Sequence, residues 1–495
     1  MTATSTVPVT HVELRSGAYA DSVTLLQVSR DVAAAPGVLA AQVAMATPLN
    51  LEVLAQMGFE VPAASPNDMV VALRVSSPDD TGAALAAVDA ALASTGRRPS
   101  GAEQVAPPRT TRSGLRRSGP GLALVSVPGA HAFVEAMDAL DADCDVMIFS
   151  DNVPVDQEIL LKRTADTRGL LVMGPDCGTA MVGGLGLGFA NSTQPGRVGI
   201  VAASGTGCQQ LMCLLDAAGV GVGAALGVGG RDLGSEVGAL STMAALRRLD
   251  EDPSIELAVV VSKPPAPEVA AALEEYAATL ATPVHLALLG PDAPDLTAST
   301  ERVLETLGVD RPSWPTWGSA AVPASGRYLR GLFVGGTLCD EAMLIAAREL
   351  GGIRSNIPLF PELALDSSLT AAAHLMIDFG DDGLTHGRAH PMIDPTLRLE
   401  HLARVAEDPE TAVVLLDVVL GHGAEPDPAA RLAPAIAAAR AERDLPVVVA
   451  CVGTESDPQV LSRQAETLAA AGAEVHLSNA GATTRALALL AGGTR

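Results

Sequence analysis

Ser204-Gly205-Thr206-Gly207 stands between a run of strand-forming residues, Val198 to Ala202, and an amphipathic stretch, Cys208 to Ala218. A strand that turns into a helix over small residues gathers free backbone N–H groups and the positive end of the helix dipole at one point. That is a place for a phosphate or a carboxylate. The same residues also suit a plain tight turn of a parallel sheet, and the motif alone does not choose. Further on, Asp378, Asp381, Asp382, His386, His390 and Asp394 crowd one segment, and His422 stands between Gly421 and Gly423. Histidines and carboxylates at strand ends suit acid–base work or metal binding, and equally suit turns and caps. His390 and His422 are the acid–base candidates, and no metal site is assigned. Cys177 is a nucleophile candidate if a helix N-terminus lowers its pKa, with packing the favoured role.

The elements that must position these groups read as alternating strands and helices. Residues 1–96 suit a small α+β domain, with strands at Val12 to Arg15, Val38 to Met45 and Met69 to Val75, helices at Ser22 to Ala34 and Thr81 to Ala93, and Asp21-Ser22 as a cap. Residues 97–120 hold six arginines against one glutamate among Pro, Gly, Ser and Thr, a linker that could also meet a polyanion or an acidic partner. In residues 121–192 a strand and helix rhythm predicts a doubly wound parallel sheet, whose ligands sit beyond the carboxyl ends of the strands. Ser126, Asn152 and Asp176 occupy the turns there and are the substrate-binding candidates; no G-x-G-x-x-G dinucleotide fingerprint opens the sheet.

The formal charge of −25 and a pI near 4.6 argue against general affinity for nucleic acid or anionic membranes. Aromatics make up only 2%, which suits parallel layers packed with small aliphatic side chains. The first residues lack a basic stretch followed by an apolar one, and a cytoplasmic location is expected. Six scattered cysteines without a C-x-x-C pair fit reduced thiols.

The chain also repeats itself. EDPSIELAVVVS at 251–262 is echoed by EDPETAVVLLDV at 407–418, and GRVGIVAASGTGC at 196–208 more loosely by GRYLRGLFVGGTLC at 326–339. An internal duplication of an α/β domain follows, with copies over 193–310 and 326–495 joined by a Pro-rich linker at 311–325.

GPDCGTAM, GRVGIVAASGTG, GVGG and the EDPSIELAVVV run resemble the alpha subunit of succinyl-CoA ligase. MIDFGDDG, EDPETAVVLLDVVLGHGAEPDPAA and LPVVVACVGTESDP are similar to the carboxy-terminal domain of that ligase's beta subunit. The whole arrangement resembles the FdrA family. The resemblance implies an α/β fold of tandem doubly wound parallel-sheet domains: a CoA-binding-like Rossmann domain and two flavodoxin-like ligase domains, behind the small α+β domain. It implies a phosphate site made by two helices, one after Ser204-Gly205-Thr206 and one after Gly421-His422-Gly423, with Gly229 and Gly230 contributing and Asp176 and Cys177 at its border. No histidine follows His285 in the first ligase copy and no ATP-grasp domain fits the linker, which points away from ATP-driven ligation by this chain alone.

What the resemblance implies first is a subunit of an oxamate carbamoyltransferase type enzyme of allantoin breakdown, taking inorganic phosphate as a substrate and working with other subunits on a small carbamoyl or acyl donor. A CoA-binding acyl-CoA synthetase with a separate ATP-grasp partner comes second, and a non-catalytic scaffold third.

Overall fold

The computed structural model describes residues 8–18, 20, 22–95, 108–119, 121–320, 325–385, 388–441 and 443–493. Asp21, His386, residues 97–107 of the arginine-rich segment with two of its six arginines, and 321–324 of the second linker lie outside the described residues. The chain divides into two compact units: residues 1–106 with 386–388, and the remainder.

The first unit runs β1 (Val9–Ser16), α1 (Ser22–Ala33), β2 (Val38–Met45), α2 (Pro48–Gln56), β3 (Asp68–Val75) and α3 (Thr81–Thr95), with an antiparallel sheet ordered β1-β3-β2. Alternate residues of β3 point to opposite faces. Val71 and Leu73 pack with Leu25 and Val88, and Val70 and Ala72 pack with Leu54 and Phe59. Sequence patterning had not suggested α2, although its start is marked: Thr47 accepts from Asn50 N and Pro48 takes the first helical position.

The second unit opens with α4 (Thr111–Ser118), β4 (Leu122–Val125), α5 (Gly129–Leu140), β5 (Asp145–Ile148), α6 (Val155–Thr167) and β6 (Val172–Met173), a three-stranded parallel sheet in the order β4-β5-β6. A hairpin, β7 (Thr179–Val182) and β8 (Leu185–Gly188), then leaves that sheet and joins the next one. The sheet of the first copy therefore recruits residues N-terminal to the expected boundary at 193.

That copy continues with β9 (Pro195–Ala203), α7 (Gly205–Ala217), β10 (Val222–Gly227), α8 (Leu240–Glu251), β11 (Leu257–Ser262), α9 (Pro267–Ala277), β12 (Val284–Leu288) and α10 (Leu296–Thr306). Its strand order is β12-β11-β9-β10-β7-β8. Helices cover both faces. Val201, Ala203 and Val260 enter one apolar cluster, and Ile200, Ala202 and Val259 enter the other, as strand alternation requires.

The second copy comprises β13 (Thr316–Trp317), β14 (Tyr328–Phe333), α11 (Gly336–Leu350), β15 (Leu375–Asp378), α12 (Asp382–Thr385), α13 (Thr396–Glu407), β16 (Thr411–Val419), α14 (Pro428–Arg440), β17 (Val447–Val452), α15 (Leu461–Ala470), β18 (Glu474–His476) and α16 (Asn479–Gly493). Its order, β13-β18-β17-β16-β14-β15, places the wholly buried β16 near the centre. The architecture is α/β, with several parallel sheets and an antiparallel sheet at the N-terminus.

The copies dock through equivalent positions. Gln210 of α7 accepts from Asn479 N at the start of α16 (2.9 Å), and Glu341, at the same step of α11, accepts from Leu296 N at the start of α10 (2.6 Å). The Thr297 and Ser478 hydroxyls bond each other at 2.6 Å, as do those of Ser204 and Thr337. Each copy thus satisfies helix N–H groups of the other.

Burial pushes the Glu341 carboxyl up to about 7, against the opposing hydrogen bonds from Asn479 and Leu296. Because the folded value lies above the unfolded one, stability from this group is full below about 4.5 and is lost as pH rises through about 7. Glu341→Gln is expected to exceed the parent in stability by about 1–3 kcal/mol at pH 8.5 and to match it near pH 5, read from urea midpoints. A pH-independent difference would discard this account.

Candidate functional site

The turns before α7 and α11 meet, and they are not equivalent in chemistry. At the second-copy turn, Val334 N and Gly335 N both donate to Asp417, each at 2.8 Å, and Asp417 is fully buried and paired to Arg398 at 3.2 Å. The chain's own carboxylate fills that turn. In the Glu-Asp-Pro register of the first copy, Val261 stands where Asp417 stands in the second. In the first copy Ser204 caps α7 by accepting from Gly207 N (3.0 Å), and the N–H groups of Gly205 and Thr206, immediately beyond the pair that corresponds to Val334 and Gly335, have no acceptor among the described residues.

Lys263, directly after β11, stands beside the start of α11, which meets this turn. Gly335 and Gly336 allow the approach: a Cβ at Gly335 would lie 3.0 Å from Thr206 Oγ1, and one at Gly336 would lie 3.1 Å from Lys263 Nζ and 2.6 Å from Asp378 Oδ2. Lys263 is 3.5 Å from Asp340; desolvation is the largest single effect on its ammonium and opposes the charge, but Asp340 and Asp378 together outweigh it and raise the pKa. Burial pushes the Asp378 carboxyl up to about 7, with Lys263 and the Gly380 N–H opposing. Asp378 Oδ1 accepts from Gly380 N at 2.8 Å.

His390 lies on the far side of Gly380, its Nε2 within 2.8 Å of where a Cβ there would sit. Burial lowers its pKa to about 4, and Nδ1 accepts from Met392 N at 3.2 Å. The ring is therefore neutral at physiological pH with Nδ1 already occupied, which removes His390 as a proton donor and leaves it a weak base. It packs against Phe189 at 5.7 Å between centroids, and Phe189 in turn meets Phe149 at the end of β5 at 5.8 Å.

Asp176 connects this centre to the carboxyl ends of β4, β5 and β6. Desolvation first, then Asp382 and Asp151, push its carboxyl up to about 6, while Lys263 and Arg231 act the other way. The side chain remains exposed, so water screens much of this. Asp176 N donates to Ser150 O (2.9 Å), bringing the Asp176 turn beside Asn152, which is exposed in a left-handed conformation (φ 54). Ser126 is exposed in the turn after β4.

The remaining expected residues have other employment. Cys177 is fully buried, and desolvation followed by the charge of Asp176 pushes its thiol up to about 12; a thiol held there forms no nucleophilic thiolate at neutral pH. Gly229 (φ 88) lets the backbone pass Pro175, whose carbonyl would lie 2.2 Å from an added Cβ, and Gly230 follows near Asp176. Gly421 N donates to Gln459 Oε1 (3.0 Å) and His422 N to Ala190 O (2.8 Å), so neither N–H is open to a ligand. Gly423 packs against Phe189, and the helix expected directly after this loop starts only at Pro428. His422 is exposed with Nε2 3.0 Å from Ser192 Oγ.

Sequence reasoning missed Lys263, Asp340 and Arg231. The signal for Lys263 was present: the chain has two lysines against thirty arginines, and this one follows the carboxyl end of a buried strand.

Comparison with known proteins supports the fold. A family profile described as CoA-ligase matches residues 332–489, and one described as AllF, heavy metal-associated domain, matches residues 5–108. That second segment holds no cysteine and has His11 as its sole histidine, so it does not fit a thiolate metal centre. Among the described residues no cluster of three or more His, Cys, Asp or Glu is arranged to hold a metal, and no helix is long and apolar enough to cross a membrane. The alpha subunit of succinate–CoA ligase from Methanothermobacter thermautotrophicus is 28% identical over 216 residues, 38% of this chain and 71% of that subunit. The dinucleotide-forming acetyl-coenzyme A synthetase 1 of Ca. Korarchaeum cryptofilum covers 75% of this chain and 84% of its own at 15% identity, but with a TM-score of 0.29 the likeness carries no argument. The Escherichia coli K12 protein YahF is 36% identical over 490 residues, covering 93% of this chain and 95% of its own. The chain therefore belongs to the family of YahF, an FdrA-like family that carries a CoA-ligase domain.

Proposed function

We propose that the chain is a subunit of a multicomponent carbamoyl or acyl transferase that uses inorganic phosphate, of the oxamate carbamoyltransferase type: oxalurate and phosphate give oxamate and carbamoyl phosphate. The observation that carries this reading is the meeting of the α7 and α11 turns, where the Gly205 and Thr206 N–H groups have no acceptor among the described residues and Lys263 stands beside Gly336. Donors fixed in advance can hold a phosphate and offset charge that builds as it attacks a carbonyl carbon. The AllF-type match over residues 5–108 supports a place in allantoin breakdown, and relatives that are ligase subunits support other chains as partners.

A second reading, a CoA-binding acyl-CoA synthetase acting with a separate ATP-grasp chain, is favoured by α5 and α6. Both start after prolines that give no side-chain cap, so their first N–H groups remain open near Ser126 and Asn152 for a phosphate-bearing ligand such as CoA. Phosphorus NMR of the chain purified with its native partners decides between them. Carbamoyl phosphate from oxalurate and phosphate is the expected product; thioester formation from ATP, CoA and a carboxylate, without carbamoyl phosphate, would replace the first reading by the second. Silence in both would leave a scaffold role.

A further inference from the structure

Asp378 is a carboxyl group that the catalytic reading so far does not use. It ends β15, its side chain is almost fully buried, and its two oxygens face different neighbours: Oδ1 the Gly380 N–H, Oδ2 the backbone of Gly336. Gly336 is half exposed and begins the helix opposite the open α7 turn. The groups that face Asp378 from surrounding elements are Lys263 after β11, Asp340 and Cys339 on α11, Asp417 on β16, and the neutral His390 across Gly380. A purely structural counter-ion for Lys263 is already supplied by Asp340 at 3.5 Å.

We propose that Asp378 is the proton carrier of the transfer, giving its proton to the leaving nitrogen and regaining one from the attacking phosphate. This rests on the phosphate-dependent reading above. Written out for oxalurate, an oxygen of hydrogen phosphate forms a bond to the carbamoyl carbon, and the bond from that carbon to the oxamate nitrogen breaks. The nitrogen takes the proton of Asp378 and leaves as the neutral amide of oxamate. The proton that hydrogen phosphate brought passes to Asp378, so the enzyme returns to its starting state and no other reactant is needed.

The arrangement supplies the proton when it is wanted. A phosphate dianion placed by Gly205, Thr206 and Lys263 adds negative charge beside Asp378 and shares the lysine that otherwise stabilises the carboxylate; both effects favour the protonated acid. His390 cannot substitute, because burial keeps it neutral with one ring nitrogen occupied.

The test is proton uptake on phosphate binding. The full chain is titrated with inorganic phosphate at pH 8 by calorimetry in buffers of different ionisation enthalpy, alongside Asp378→Asn. The parent is expected to take up about half a proton more than the variant. Equal uptake in both, with phosphate still bound, overturns the role of Asp378 and leaves the phosphate site standing. No phosphate binding by the folded parent overturns the functional reading and this role with it. Should Asp378→Asn fail to fold, Asp378→Ser, whose hydroxyl can still accept from Gly380 N, carries the same comparison.

Discussion

Asp232→Ala is expected to destabilise the chain by about 4 kcal/mol, the range for breaking a buried ion pair from one side. Asp232 is fully buried and accepts from Lys162 Nζ (2.7 Å), Ser241 N (3.1 Å), Thr242 N (2.8 Å) and Thr242 Oγ1 (2.6 Å). One carboxylate therefore neutralises a buried lysine and caps α8, whose own cap residue Ala239 contributes no side-chain bond. Lys162 would keep Glu158 at 2.7 Å and the Val228 carbonyl at 3.0 Å, but α8 would lose both of its buried donors' acceptor. Urea unfolding of Asp232→Ala, Lys162→Met and the double variant checks the coupling. The double variant should recover part of the loss, because removing both charges leaves less uncompensated than removing one. Strict additivity would show that Asp232 matters only as a cap.

Under the proposed phosphate-dependent transfer, Lys263→Met is expected to lower its rate by about a hundredfold, the lower end of what one oriented donor contributes at a charge-developing centre. The lower end is chosen because the side chain is 43% exposed and partly neutralised by Asp340. Lys263→Arg should retain part of the activity, since the charge stays while the guanidinium is bulkier beside Gly336. Initial rates at several phosphate concentrations separate binding from chemistry. A change below threefold in kcat/KM for phosphate would remove Lys263 from the site.

How much of this was legible before any coordinates depends on the range of the forces involved. The β9 to α7 unit was readable because its determinants are local: a buried apolar strand, a serine able to cap, and small residues in the turn. The start of α8 at Leu240 was not legible, because Asp232 caps α8 from outside the helix and the chain must first turn through Gly238 and Ala239, both at positive φ. Hairpin β7–β8 was not foreseen, since which sheet receives a short strand depends on the edge available in three dimensions. At the site, the glycine turn was visible as a motif, but Lys263, Asp340 and Asp378 converge from three elements distant in sequence. The duplicated register held the missing clue, the exchange of Asp417 for Val261, and it gains meaning only once Asp417 is seen filling a turn.

The reciprocal capping between the copies sets an order on the birth of the protein. Asn479, which meets Gln210, and Leu296, which meets Glu341, pair an early helix with a late one and a late helix with an early one. While the chain is being synthesised, α10 gains its Glu341 acceptor as soon as α11 emerges, whereas Gln210 of α7 must wait with its contact open until α16 emerges. Nascent chains truncated before residue 479 should then be readily cut by protease around α7, and acquire resistance there only when α16 has been made.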